Sequence, residues 1–344
     1  MRIGISSPYI DTGSGGERYI LTLASWWSRS HTVSIFWDRP EQVHEVGRKL
    51  NLDLSRLEVT ANIFARKSRL LKYITSSHFD CIIFLSDGSV PFSLAKYNIL
   101  HFQMPFPMIR IGALKMSRYQ AIVCNSEFTK RNLDEPISKV AEVIYPPVSI
   151  PLLSDKKKER IILSVGRLHP VKKHDILIKS FLRLKRFLPG WRLIIAGGLI
   201  HADETCANDL IHLATSGDIE IVPNSSYETL KDLYARASIY WHATGYLSQN
   251  PQEMEHFGIA PVEAMAAGCV PIVFNGGGLP EIVSQGRNGF LWKNDSELEG
   301  ITRRLASDKH LLERMGIRAM KRAEYFSAQH FCDAFDTLLL RITK

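Results

Sequence analysis

The 344-residue chain lacks a long apolar segment, since no run approaches the roughly 20 consecutive apolar residues of a membrane-spanning helix. Its first ten residues, MRIGISSPYI, carry one arginine and an apolar run shorter than the hydrophobic region of a secretory signal. They predict a strand instead of a leader. We therefore expect a cytoplasmic protein, either free or peripheral on the inner face of the membrane.

Cysteine is scarce, and its five copies lie far apart in the sequence without a C-x-x-C pair. Such spacing argues against a disulfide framework or a zinc ribbon, and it suits a reducing compartment. We expect most of them to be core residues: Cys81, Cys124, Cys206, Cys269 and Cys332.

Signatures of several enzyme classes are absent as well. The sequence has no Asp-x-Asp pair for a metal-bound nucleotide, no H-E-x-x-H, no G-K-[ST] phosphate loop and no G-x-S-x-G elbow. These absences disfavour a metal hydrolase, a P-loop ATPase and a serine hydrolase. We expect neither a metal ion nor a cofactor.

Acidic residues are outnumbered, since 43 Lys and Arg against 35 Asp and Glu give a formal net charge of +8. This excess is compatible with nucleic acid, an anionic membrane surface or phosphorylated small molecules as partners. Nucleic acid fits least because the cations are dispersed and no recognised module is present. The densest cluster, in the segment IFARKSRLLKYI, is either a solvated helix face or a contact with a membrane surface: Arg66, Lys67, Arg69 and Lys72.

Short β-rich runs alternate with amphipathic stretches, which predicts βα units and parallel sheets. Prolines and a lysine run interrupt the alternation at YPPVSIPLLSDKKKER. Because 344 residues exceed the usual size of a single core, we predict two Rossmann-like, doubly wound α/β domains, at residues 1–145 and 160–326. The linker is predicted at residues 146–159, and a helix at residues 327–344 is predicted to pack back toward the first domain.

The segment MEHFGIAPVEAMAAGCVPIVFNGGGLPEIV contains two carboxylates that flank one loop. Proline at 261 predicts that a helix begins near Pro261, so that the preceding loop, Phe257, Gly258 and Ile259, offers free N–H groups to a ligand. Glu255 and Glu263 can accept hydrogen bonds from sugar and ribose hydroxyls. A surface charge at Glu255 and a helix-capping role for Glu263 are the alternatives.

A second motif, SVGRLHPVKKHD, predicts a strand, a glycine turn at Gly166 and then Arg167 and Lys172 ahead of a helix. Two cations at the carboxyl end of a strand suit a diphosphate leaving group, whose developing charge they can neutralise without a metal. Solvated surface charge is the alternative.

The first predicted βα loop, TGSGGERYI, opens a helix with Gly13, Gly15 and Gly16. Arg18 stands where a dinucleotide fingerprint has its third glycine, so this loop does not match G-x-G-x-x-G. Its position at the top of the first sheet still favours contact with a phosphate or a sugar.

Other polar residues follow strands of the first domain. His101 precedes the proline-containing loop FQMPFP, and a lone histidine in this position is either structural or catalytic. Asn125 and Ser126 end another strand, where Ser126 suits a helix N-cap.

Taken together, these residues resemble the retaining glycosyltransferases of family four. The resemblance covers most of the chain and is strongest from residue 161 to residue 283. It implies the GT-B architecture, in which an amino-terminal acceptor domain and a carboxyl-terminal donor domain face each other across a cleft.

The resemblance also implies roles for individual residues. The E-x7-E motif of the family corresponds to Glu255, on the donor sugar, and Glu263, on the nucleotide ribose. The G-R-L-x-x-x-K signature corresponds to the run from Gly166 to Lys172, with both cations on the diphosphate. Lys173 stands where the family usually has glycine. His101 falls where the family often has a histidine near the reacting sugar.

Shorter strings, E-H-F-G-I, G-G-E-R, N-S-E-F-T and Y-P-P-V, are similar to mannosyltransferases that extend lipid-linked oligosaccharides. They favour GDP-mannose as the donor, with a UDP-sugar as the alternative, and a glycan or polyprenyl-linked acceptor. Two other functions stay open, a nucleotide-sugar epimerase on the same architecture and an inactive sugar-nucleotide-binding protein. A phosphorylase fits less well because neither a pyridoxal lysine nor the longer chain is evident.

Overall fold

The structure, a computed structural model, describes residues 1–10, 15–106, 108–109, 112–148, 156–199 and 201–344, without the side chains of Ala113 and His201. The chain divides into two compact units: Met1–Pro147 together with Ala328–Lys344 form the first, and Val148–Ser327 form the second. Of the predicted linker, residues 149–155 lie outside the described residues, and so does Gly13 of the first glycine loop.

Each unit contains one sheet. The strands are β1 Arg2–Ser6, β2 Thr32–Phe36, β3 Glu58–Thr60, β4 Cys81–Ser86, β5 Tyr97–Phe102, β6 Ala121–Cys124 and β7 Glu142–Val143 in the first unit. The second unit has β8 Ile161–Val165, β9 Arg192–Gly197, β10 Ile219–Pro223, β11 Ile239–His242, β12 Val270–Phe274 and β13 Phe290–Trp292.

Helices connect the strands in both units. They are α1 Gly15–Trp27, α2 Pro40–Lys49, α3 Arg69–Ser76, α4 Ala113–Met116, α5 Glu127–Arg131, α6 Glu135–Ser138, α7 His174–Leu184, α8 Glu204–Leu213, α9 Tyr227–Arg236, α10 Ile259–Ala266, α11 Leu279–Ile282, α12 Asp295–Ser307, α13 Lys309–Ala323 and α14 Ala328–Thr343. Short 3-10 turns add Ile63–Ala65, Pro170–Lys172, Lys185–Phe187, His201–Asp203, Pro251–Glu253 and Glu324–Phe326. Within the described ranges, no helix is both long and apolar enough to cross a membrane.

Both sheets are parallel and doubly wound. The first has the strand order β3-β2-β1-β4-β5-β6-β7 and the second has β10-β9-β8-β11-β12-β13. The strands are short apolar runs that helices cover on both faces; all six residues of β4, for example, are buried. The prediction of two doubly wound α/β sheets is therefore confirmed.

The strand order fixes where ligands can bind. In each sheet the first and fourth strands of the unit are neighbours, and the order in which strands are added reverses between them. Such a switch point leaves a crevice beyond the carboxyl ends of these two strands. In the second sheet these strands are β8 and β11, so the crevice lies between the turn after Val165 and the end of β11 at His242.

The last helix, α14, completes the core of the first unit. One carboxylate, that of Asp336, accepts hydrogen bonds from the indole nitrogens of Trp26 at 2.8 Å and Trp27 at 2.7 Å. The ring of Phe335 meets Trp27 edge to face, with the ring centroids 6.0 Å apart. Residues separated by some 300 positions thus share one hydrophobic cluster.

A close backbone contact joins two strand ends in the second unit. A Cβ placed on Gly197, at the end of β9, would lie 1.9 Å from the carbonyl oxygen of Gly166. Only glycine fits there, because that carbonyl belongs to the backbone and has no flexible end that could move aside. The turn that follows β8 is therefore held in place by its neighbour.

This contact predicts a large difference between two adjacent glycines. Gly197→Ala should lower the free energy of unfolding by at least about 1–3 kcal/mol, the usual range for overpacking. Gly198→Ala is the matched control, since a Cβ there would meet nothing within 4 Å, and its effect should stay within about 0.5 kcal/mol. Urea unfolding measures both, and equal midpoints for the two variants would contradict the contact.

Candidate active site

The turn after β8 carries the predicted cations. Gly166 and Arg167 follow the strand, and the 3-10 turn Pro170–Lys172 precedes α7. The turn is stabilised by His169, whose Nδ1 accepts a hydrogen bond from the backbone N–H of Val171 at 3.2 Å. Lys173 has the left-handed conformation, with φ 55° and ψ 34°. The turn that suits glycine therefore forms with lysine, at a cost of roughly 1–2 kcal/mol.

The loop that carries Glu255 ends where α10 begins. The helix starts at Ile259, two residues before the predicted start, with Gly258 as N-cap at φ 116°. Pro261 occupies the third helical position, where its missing N–H removes no helical hydrogen bond, because the first N–H groups of any helix have no partner within it. Glu263 therefore lies in the second turn, at the fifth position, and the capping-box alternative does not apply.

Glycines from another loop support Glu255, and the sequence analysis did not identify them. The segment after β12 packs so tightly that a Cβ on Gly277 would lie 2.2 Å from the carbonyl oxygen of Glu255. A Cβ on Gly278 would lie 2.4 Å from the carbonyl oxygen of His256. The backbone N–H of Gly278 also donates to the Glu255 carbonyl at 2.7 Å. These contacts hold the backbone of the Glu255 loop.

The side chain of Glu255 is the centre of the site. Its Oε2 accepts hydrogen bonds from Lys172 Nζ at 2.9 Å and from His242 Nε2 at 2.9 Å. Burial acts to raise the pKa of Glu255, but the charge of Lys172 and the hydrogen bond from His242 hold that pKa well below its usual range. Glu255 is therefore an ionised, oriented carboxylate, and the surface-charge alternative is wrong, since its side chain is 17% exposed.

Two buried histidines, His242 and His174, lie near Lys172, and the sequence analysis named neither. Burial lowers the pKa of His242 more than Glu255 raises it, so the imidazole is neutral at neutral pH. Burial also lowers the pKa of His174, to about 3. Ligands of open α/β sheets bind beyond the carboxyl ends of the strands, and this rule indicated Arg167 and Lys172. It also applies to His242, which is a polar residue at the carboxyl end of an apolar strand.

The remaining predicted charges have their own partners. Arg167 Nε lies 3.3 Å from the carboxylate of Asp203, which is nearly buried, while the Arg167 side chain is 48% exposed. Glu263 is half-buried and accepts a hydrogen bond from the hydroxyl of Tyr234 at 3.0 Å. Both side chains therefore have fixed directions and still reach solvent.

Two predicted donor-binding residues contribute packing. Phe257 is buried, and its ring lies 5.3 Å from that of Phe326, centroid to centroid, so a ligand could contact only its backbone. Ile259, half-buried, is the first residue of α10. It stays a prediction that these two residues bind the donor, and the groups that would do so are their main-chain N–H and carbonyl groups.

The candidates of the first unit surround the start of α1. Gly15 and Gly16 open this helix, and a Cβ on Gly16 would lie 2.7 Å from Oε1 of Gln103. His101 is fully buried and stacks on the ring of Tyr19 with centroids 4.0 Å apart. Burial lowers the pKa of His101 to about 3. In this position the imidazole cannot touch a ligand outside the unit, so its catalytic role stays a prediction that requires the ring to move.

Asn125 and Ser126 have local structural roles. The side chain of Ser126 accepts a hydrogen bond from the backbone N–H of Thr129 at 3.0 Å, which confirms it as the N-cap of α5. The amide nitrogen of Asn125 donates to the carbonyl of Gln103 at 2.7 Å. Across the described ranges, no group of three or more His, Cys, Asp or Glu side chains could hold a metal ion.

Comparison with known proteins identifies the family that the second unit resembles. The profile of the family described as glycosyl transferases group 1 matches residues 152–322. This range includes both carboxylates of the E-x7-E pair and both cations of the turn after β8.

Curated relatives are similar over part of their length. A GDP-Man:Man(3)GlcNAc(2)-PP-Dol alpha-1,2-mannosyltransferase of Mus musculus is 30% identical over 245 residues, or 62% of this chain. A D-inositol 3-phosphate glycosyltransferase of Nocardia farcinica is 31% identical over 180 residues, or 50% of this chain. The chain spans 47% and 38% of the length of these two relatives.

Solved structures match the fold over nearly the whole chain. A glycosyltransferase from Rickettsia africae has a TM-score of 0.78 at 18% identity and covers 100% of this chain and 98% of its own. HepE of Anabaena, in complex with UDP and glucose, has a TM-score of 0.74 at 17% identity and covers 99% of this chain and 100% of its own. These matches confirm the GT-B fold class.

The ion pair at the centre of the site predicts a pH-dependent stability difference. Lys172→Met should lower the free energy of unfolding by about 1–3 kcal/mol at neutral pH, as expected for a hydrogen bond to a charged group. Because the pKa of Glu255 is depressed in the folded state, the stabilisation is complete above its ordinary value of 4.5 and is lost as the pH falls further. The difference from the unsubstituted protein should therefore shrink in acid.

Lys179→Met is the matched control for this measurement. It removes an ion pair with Asp175 in which both side chains are 48% and 43% exposed, so its effect should stay within about 0.5 kcal/mol at every pH. Urea titrations from pH 3 to pH 8 compare the two. A Lys172→Met difference that does not change with pH would contradict the assignment.

Proposed function

Because the chain belongs, through its residues 152–322, to the group 1 glycosyl transferases, we propose that it is a retaining, metal-independent hexosyltransferase. Its donor would be a nucleoside-diphosphate sugar, and its acceptor would be a hydroxyl of a glycan or a polyprenyl-linked glycan. No cofactor other than the donor is part of this proposal.

The observation that carries the proposal is the contact between Lys172 and Glu255 at the switch point of the second sheet. These residues are 83 positions apart, yet they meet at 2.9 Å beyond the ends of β8 and β11. One presents a cation for a diphosphate, and the other an ionised acceptor for sugar hydroxyls. A structural ion pair alone would not require this location, which is where open α/β sheets bind ligands.

The proposed reaction assigns one task to each group. Arg167 and Lys172 would neutralise the diphosphate as the bond between the anomeric carbon and the phosphate oxygen breaks and its electron pair passes to that oxygen. The acceptor oxygen would attack the same face of the oxocarbenium-like sugar, and its proton would pass to the departing phosphate. Glu255 would orient the sugar and Glu263 the ribose, so that both act by positioning.

Mannose is the favoured sugar and GDP the favoured nucleotide. Relatives named as mannosyltransferases, from Mus musculus and Neurospora crassa, support this preference at 30% and 28% identity. A UDP-sugar is the alternative, since a structural neighbour was solved with UDP and glucose.

The donor can be identified by thermal unfolding with a panel of GDP-, UDP-, ADP- and TDP-sugars. A ligand at a hundredfold excess over its Kd stabilises the folded state by about 2.7 kcal/mol, or roughly 5–10 °C for a unit of this size. We expect one nucleotide series to shift the unfolding temperature selectively. We expect Glu263→Ala to abolish most of that shift, because it removes the acceptor proposed for the ribose.

Each variant is compared with its own ligand-free unfolding temperature, because Glu263→Ala also leaves the Tyr234 hydroxyl without its acceptor. Glu228→Ala, which removes an exposed carboxylate on α9, is the control and should keep the full shift. No shift with any sugar nucleotide would contradict the proposal. Nucleotide release that depends on added acceptor would distinguish a transferase from an epimerase.

We also infer that α3 contacts an anionic membrane surface that carries the acceptor. Only Ser76 of this helix is buried, while Leu70, Leu71 and Ile74 are 69%, 44% and 52% exposed. Of the cationic cluster, Arg66 pairs with Asp38 at 2.8 Å, whereas three cations form no ion pair within the described ranges: Lys67, Arg69 and Lys72. Exposed aliphatic side chains among unpaired cations fit a lipid surface better than water.

Vesicle sedimentation tests this contact. A variant with Lys67, Arg69 and Lys72 all changed to Gln should bind phosphatidylglycerol-containing vesicles roughly a hundredfold more weakly, since each cation contributes about 1 kcal/mol. A variant with Arg314, Arg318 and Lys321 changed to Gln loses the same charge from α13 and should bind almost normally. Equal losses in both variants, or equal binding to pure phosphatidylcholine, would contradict a specific contact through α3.

A further inference from the structure

The carboxylate of Glu255 uses one oxygen for both of its protein donors. Lys172 Nζ and His242 Nε2 each lie 2.9 Å from Oε2. No protein donor contacts Oε1 in the described part of the chain, so this oxygen is available to a ligand. A carboxylate held through one oxygen and open at the other suits recognition of a hydroxyl.

The two donors differ in how firmly they are held. His242 ends β11, is 4% exposed and has its ring stacked on that of Tyr240 at a centroid distance of 6.2 Å. Lys172 lies on a short 3-10 turn, and its side chain, with four methylene groups, is 24% exposed. The imidazole is therefore the fixed donor and the ammonium the mobile one.

A bound diphosphate would compete with Glu255 for the ammonium of Lys172. Phosphate carries more charge than a carboxylate, so the ammonium would move toward it, and Glu255 would lose one of its two donors. Burial would then act against ionisation of Glu255 unless another donor stayed in place. His242 is the residue that meets this requirement, because a carboxylate only accepts hydrogen bonds and Nε2 must carry the proton.

We propose that His242 is a positioning residue: it keeps Glu255 oriented for the sugar while Lys172 transfers from Glu255 to the donor diphosphate. The inference rests on the proposed function and adds an order of contacts to it. The diphosphate releases Lys172, and the carboxylate left on His242 then recognises the sugar. Sugar binding should therefore depend strongly on His242, whereas binding of the nucleoside diphosphate alone should depend on it only through the release of Lys172.

Isothermal titration with two pairs of probes tests this: GDP with GDP-mannose, and UDP with UDP-glucose. With the pair that the unsubstituted protein binds, His242→Leu should weaken the sugar nucleotide roughly tenfold or more, as for loss of a hydrogen bond to a charged group. It should weaken the nucleoside diphosphate by a clearly smaller factor, because Lys172 is then the only donor to the Glu255 side chain in the described part of the chain and its release to the diphosphate is opposed. His242→Gln should restore most of the loss, since its amide nitrogen can replace Nε2 as donor.

Tyr240→Phe is the control for disturbance of β11. It deletes a buried hydrogen bond from the Tyr240 hydroxyl to the Val165 carbonyl, 3.1 Å long, two residues from His242, and it leaves Glu255 unchanged. Both affinities should stay as they are. Equal weakening of both ligands by His242→Leu would show a merely structural role and overturn the inference. The inference would also be overturned if every variant bound each ligand as tightly as the unsubstituted protein does. An unsubstituted protein that binds neither of these pairs nor an ADP- or TDP-sugar would instead overturn the proposed function.

The NMR chemical shift of the His242 Nε2–H proton provides a second readout. In the unsubstituted protein this chemical shift should change when the protein binds its nucleoside diphosphate, because Glu255 then loses Lys172 and its remaining hydrogen bond, from His242, strengthens. In Lys172→Met the same binding should leave the chemical shift unchanged. A shift of equal size in both proteins would contradict transfer of Lys172.

Discussion

The site of the second unit depends on hydrogen-bond donors that keep one carboxylate ionised although it is mostly shielded from water. Removing a charged carboxylate from water is unfavourable unless donors replace the solvent. At Glu255 the donors come from two separate parts of the sheet, the turn after β8 and the end of β11. They meet because the strand order places β8 beside β11, although β9 and β10 lie between them in sequence. The chemistry of the site thus follows from the topology.

The arrangement of the sheets could be predicted because buried parallel strands are apolar and their connections carry clear turn signals. Three strands, β3, β7 and β13, have only two or three residues each. They are too short to show a period, and pairing with a longer neighbour determines them. The early start of α10 has a different cause. Proline is unfavourable inside a helix but is tolerated in the first turn, where its missing N–H removes no helical hydrogen bond.

The sequence predicted which types of residue form the site but not which side chains contact each other. Cations after one strand and carboxylates around one helix start were visible in the sequence. That Lys172 meets Glu255 while Arg167 meets Asp203 depends on side-chain directions that no spacing encodes. His242 and the glycines at 277 and 278 act through a neighbouring residue, and their sequence signal is that of an ordinary strand end and an ordinary loop. His101, for which the sequence left a structural and a catalytic role open, has its ring in the core.

The position of α14 affects the order in which the chain can acquire its structure on the ribosome. The second unit is continuous in sequence, from Val148 to Ser327, whereas the first requires α14, which is synthesised after all of the second. Until then the indoles of Trp26 and Trp27 lack the carboxylate of Asp336, and their apolar surface lacks Phe335. Domains made first usually fold first. Here the first unit, whose sheet is synthesised before the second unit, completes its core last, when α14 supplies Asp336 and Phe335.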